Sequence, residues 1–111
     1  MTPVLNRQLV LEAAERVPDG AGGYAETWAE IGTLWASIRV GTGAADDADL
    51  VALATVPLRI LVRAAPEGSA ARPLPGQRFG EGLRRYRILA VAEADRDGRY
   101  LTCFAREEAA A

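Results

Sequence analysis

Apolar and polar residues alternate with a period of two along most of this chain, the pattern of strands with one buried face. From Gln8 to Arg16 the apolar set is Leu9, Leu11 and Ala13. From Gly32 to Val40 it is Leu34, Ala36, Ile38 and Val40, with Trp35, Ser37 and Arg39 on the opposite side. Leu58 to Arg63 sets Leu58, Ile60 and Val62 inward, with Pro57 at the start, where a missing N–H costs least. Arg99 to Arg106 closes the series with Leu101, Cys103 and Ala105. Arg84 to Ala92 is less regular. Tyr86, Ile88 and Ala90 form one set, yet Leu89 and Val91 are apolar too, which predicts either cover on both faces or a bulge. Tyr24 to Trp28 predicts a further short strand.

Turn residues separate these segments. "PDGAGG" (Pro18 to Gly23) and "DRDG" (Asp95 to Gly98) supply the positive φ that tight turns require, and Ala65 to Gln77 is a loop by its Pro, Gly and Ser content. Gly41 to Thr55, "GTGAADDADLVALAT", allows either a short helix capped by Asp46 or Asp47 or a long projecting loop over about residues 41–56. The last residues, 107–111, predict a fraying tail. The expected fold is all-β and mainly antiparallel: a small β-barrel or sandwich of five to six short strands in a single domain over 1–111.

Composition narrows the function. Half of the 111 residues are apolar and a quarter are charged, which suits a globular chain with one core. No apolar run reaches the ~20 residues that span a bilayer, and the first residues lack a cationic start followed by an apolar core. A cytoplasmic site of synthesis, with no membrane partner, is expected. All 13 basic residues are arginine and the formal charge is −2. That balance argues against a general nucleic-acid binder, and the wealth of Ala, Arg and Gly fits a GC-rich genome.

The absent residue types exclude most enzyme chemistry. Without histidine there is no Ser-His or Cys-His pair and no imidazole metal ligand. Without lysine there is no Schiff base and no P-loop lysine. Asp46, Asp47 and Asp49 lack the alternating spacing and closing glutamate of a calcium loop. No catalytic residue, no cofactor site and no metal site is expected. Cys103, the only cysteine, reads as a small buried apolar residue.

Two features suit protein contacts. Arg84, Arg85 and Arg87, with Arg78 nearby, form the one basic concentration, and arginine's planar, weakly hydrated fork suits a subunit or ring interface. Trp28 and Trp35 read as core or core-edge residues, or as one interface anchor.

Taken in order, "PDGAGGYAETWAEIGTLWASIRVGTG", "LRILVR", "PGQRFGEGLRRYRILAV" and "RYLTCF" resemble the phage head–tail joining family of tailed phages, prophages and gene transfer agents. The residues that carry the resemblance are Asp19, Gly22, Gly23, Trp28, Trp35, Ala36, Arg63, Arg78, Tyr86 and Ile88. Residues 44–55 depart from it, being less polar than in similar proteins.

The resemblance implies a small β-barrel that assembles as a hexameric ring in the neck of the particle, after assembly in the bacterial cytoplasm. The implied partners are other copies of the chain, a portal-bound adaptor above, a tail terminator or other tail protein below, and DNA crossing the lumen without sequence-specific binding. Such a protein closes the head after packaging and offers the tail a docking surface. In that setting Gly41 and Gly43 would act as pivots, and Asp46, Asp47 and Asp49 would face the lumen, repelling phosphates within a Debye length of ~8–10 Å. The same loop could instead pack on a neighbouring ring protein or stay solvated. A tail terminator or completion ring protein is the neighbouring alternative. A small nucleic-acid-binding β-barrel is the alternative from another class; it predicts exposed aromatics on a basic face.

Overall fold

The computed structural model describes residues 3–41 and 57–108. Gly43, Asp46, Asp47 and Asp49, with the expected loop or helix beyond Gly41, lie outside the described residues, as do residues 109–111.

Among the described residues, six strands form one antiparallel sheet: β1 (Arg7–Pro18), β2 (Tyr24–Val40), β3 (Pro57–Arg63), β4 (Arg78–Glu81), β5 (Arg84–Glu93) and β6 (Tyr100–Glu108). The sheet closes as a barrel in the order β1-β2-β3-β6-β5-β4, with β4 pairing back onto β1. There is no helix among the described residues, and so none long and apolar enough to cross a membrane.

Most inward positions are those the alternation predicts; Val40, expected on the inner face, is the last residue of β2 and is exposed. Leu9, Leu11, Ala36, Leu58, Ile60, Val62, Tyr86, Ile88, Leu101, Cys103 and Ala105 are buried together, joined by Phe79 of β4. Each large side chain removed from water here contributes roughly 1.5–3 kcal/mol. Tyr86 and Phe79 face each other across the β4–β5 pair, and both are fully buried.

Two bulges account for the departures from simple alternation. Leu11 faces Gly32 but Glu12 faces Glu30, so Ile31 is an extra residue in β2. It reverses the faces of that strand: Trp28 and Glu30 point outward with Glu12, while Leu34 and Ala36 point inward. The chain therefore runs Tyr24–Val40 as one strand of 17 residues instead of two separate ones. Ala13, expected in the core, lies beyond it and is only half-buried. In β5, Ile88 faces Ala105 and Ala90 faces Phe104, so Leu89 is extra. This is the bulge that the mixed pattern allowed. It turns Ala90 outward and packs Val91 against the core instead.

The turns behave as their residues dictate. Asp19 Oδ1 accepts hydrogen bonds from the N–H groups of Ala21 (2.8 Å) and Gly23 (3.0 Å), and Gly20 and Gly22 adopt positive φ. Asp95 Oδ1 accepts from the Arg99 N–H (2.9 Å) in the β5–β6 hairpin, where Gly98 is left-handed. β6 continues through Glu107 and Glu108, the first residues of the expected tail, because both carboxylates meet arginines.

Candidate interaction surfaces

The β1–β2 hairpin is longer than the barrel. Ala13–Pro18 pairs only with Tyr24–Ala29, so these residues leave the wall as a two-stranded ribbon. An isolated two-stranded ribbon is marginal in water, and this one is anchored at its base. Trp28 lies under two guanidinium groups, Arg78 at 4.0 Å and Arg87 at 5.0 Å from the ring centre. Beneath them Glu12, 7% exposed, accepts from Arg78 Nε at 2.5 Å and has Arg85 Nε at 3.4 Å. Glu108 faces Arg87 at 3.6 Å and Arg78 at 3.8 Å. The Arg85 guanidinium also covers Gly80, where an added Cβ would come within 3.2 Å of it.

A second polar cluster crosses one end of the barrel. Arg7 holds Glu81 through two hydrogen bonds, one of them 2.7 Å from Nε, and the Tyr86 hydroxyl donates to Glu81 at 3.0 Å. Arg84 makes a fork with Glu107 at 2.8 and 2.9 Å. The Arg7 hydrogen bond holds the Glu81 carboxyl below its usual range, and Arg84 does the same for Glu107. Burial, with the hydrogen bond to Glu81, pushes the Tyr86 hydroxyl up to about 12.

Thus Arg78, Arg84, Arg85 and Arg87, singled out as an interface cluster, each meet a carboxylate of their own chain. The alternation could show which side of β5 they occupy. It could not show Glu12, 66 residues from Arg78 in sequence and turned outward beside it by the barrel's closure.

The outer side of β2, β3 and β6 differs. Here Arg39 pairs with Arg59, Arg59 with Phe104, Arg63 with Tyr100, and Pro57 with Arg106. All four arginines are exposed, and among the described residues none has a carboxylate within ion-pair distance. Trp35, 53% exposed and not in the core, flanks the face, and Phe104 lies under Arg59 at 5.6 Å. Val4, Leu61 and Phe104 border a depression of ≈ 610 Å³. Sequence reasoning missed this face because its arginines come from three distant segments and converge only through strand register.

Ala36 and Ile88 lie in the core, and Tyr86 joins the core to the end cluster. Gly22 and Gly23 shape the ribbon's tip, where a Cβ on Gly23 would meet Asp19 Oδ2 at 2.9 Å. Gly41 donates its N–H to Pro57 O at 2.7 Å, and a Cβ there would lie 3.2 Å from the same oxygen. Burial pushes the Cys103 thiol up to about 12, in keeping with an unreactive core residue.

A family described as phage head completion protein matches residues 1–108. The chain belongs to this phage head completion protein family. At 57% identity it is similar to a chain of a solved structure described as the virion of a native gene transfer agent (GTA) particle. That match covers 99% of this chain and 100% of the other, with a TM-score of 0.80. Protein SF1141 from Shigella flexneri 2a shares the fold at 19% identity and a TM-score of 0.66, over 95% of this chain and 94% of its own. No curated protein sequence matches. Head completion proteins are structural particle components, so the family agrees with the reading of a non-enzymatic protein made from the residue types.

Proposed function

We propose that this head completion protein is a neck component of a gene transfer agent or tailed-phage particle. It forms a ring between the portal-bound adaptor and the tail, closes the head once DNA is packaged, and gives the tail its docking surface. The full-length match to a chain of a gene transfer agent virion, within a family matched over nearly the whole sequence, carries this reading. The barrel supports it physically. Its interior is filled by side chains, and its exposed arginines and aromatics lie on the outer wall, which suits contact with other proteins.

Deleting the gene in a particle-producing strain tests the proposal. The expected products are separate heads and tails, with heads that lose their DNA; normally joined particles would overturn it. If tails instead grow to uncontrolled length while heads stay filled, the protein is a tail terminator.

A further inference from the structure

The ribbon and the open face carry opposite charge. Between Ala13 and Glu30 the chain has four carboxylates, Glu15, Asp19, Glu26 and Glu30, against the single base Arg16. All five residues are exposed. The face on β2, β3 and β6 presents Arg39, Arg59, Arg63 and Arg106, with Phe104 and Leu61 among them.

The two surfaces of one molecule cannot meet. Glu26 and Arg39 lie 13 residues apart on the same continuous strand, β2, roughly 40 Å at the rise of an extended chain. The ribbon also leans the other way, with Trp28 held over β4 and β5 by Arg78 and Arg87. The ribbon of the same molecule is therefore not the partner of this face. A second copy supplies both the charge and the shape.

We infer that the acidic β1–β2 ribbon of one copy docks on the arginine–aromatic face of β2, β3 and β6 of the next copy. The inference rests on the ring-forming reading above and names the surfaces that would make the ring. The contact is heterologous, since ribbon meets face and not ribbon. Every copy thus keeps one donor and one acceptor, and the contacts propagate until they close. Opposed charge would orient the encounter, while Phe104, Leu61 and the ribbon's exposed Val17 and Tyr24 offer apolar area to cover.

The test introduces Glu26→Cys and Arg59→Cys together into the full chain and oxidises purified particles. Cys103 is buried and should stay silent. A ladder of disulfide-linked multimers is expected from the double variant and none from either single variant. In parallel, Glu26→Arg with Glu30→Arg, and separately Arg39→Glu with Arg59→Glu, should each lower incorporation into particles at least ~10-fold. Combining the two reversals in one chain should restore it.

If the unaltered chain is present in particles but no ladder forms and the reversed variants incorporate normally, the docking contact is wrong and the neck reading stands. If the unaltered chain is absent from particles, both fall. Two further results overturn the contact by assigning the face to something else. Rescue of the face reversal by Asp46→Arg with Asp47→Arg would assign it to the chain's own acidic segment. Loss of salt-sensitive DNA retention on a filter only in the face variant, with ribbon reversal silent, would assign it to nucleic acid.

Discussion

Tyr86 shows how much one position can combine. Its ring is fully buried against the core, while its hydroxyl donates to Glu81 at the barrel's end. Because its folded pKa is raised to about 12, the unfolded chain releases this proton first as pH rises. The tyrosine's contribution to stability is fully present below pH ~10 and is lost between ~10 and ~12. Urea unfolding across that range should show Cm falling in the wild type and falling less in Tyr86→Phe. The carboxylates work in the opposite sense. Glu81, Glu107 and Asp19 are held below their usual range, the first two by Arg7 and Arg84, Asp19 by the Ala21 N–H. Their contributions are present above pH ~4.5 and are lost as the pH falls through the folded values. Cys103 makes a third test. A thiol reagent should leave it unmodified in the native protein and label it once urea unfolds the barrel, since burial disfavours its thiolate.

At the scale of elements, the ribbon's anchor is the feature most open to measurement. Trp28→Ala removes a ring that two guanidinium groups cover and should cost about 1–2 kcal/mol by urea unfolding. Arg78→Gln takes the closest partner from a nearly buried Glu12 and should cost about 2 kcal/mol. That is less than a fully orphaned charge would cost, because Arg85 stays within 3.4 Å. Strand positions were legible in sequence wherever alternation was unbroken, as in β3 and β6. The β5 bulge was legible as one of two readings, because Leu89 and Val91 broke the period. The β2 bulge was not. Ile31 and Gly32 look like a break between two strands, and only pairing with β1 shows that the chain continues. Arg78, Arg84, Arg85 and Arg87 were legible as a cluster, but not their partners, which barrel closure brings in from β1 and β6. The open face had no local signal, since Arg39, Arg59 and Arg106 are far apart along the chain.

For the whole molecule, stability rests on closing β4 against β1, a short contact of three residue pairs that completes the barrel. Phe79 sits in the middle of it, opposite Leu11 and Tyr86. Phe79→Ala should therefore destabilise the entire fold by about 3–5 kcal/mol, with one cooperative transition by circular dichroism and by tryptophan fluorescence. A separate early change in either signal would show that β4 opens on its own. Closure also has a consequence for life inside a crowded cell. Within the barrel wall each strand already has a neighbour on both sides, so unpaired backbone edge is confined to the projecting β1–β2 ribbon. Closure thus leaves little of the wall's backbone open to cross-β pairing with other copies. Recognition is then written in surface side chains, which can be retuned residue by residue while the wall beneath stays fixed.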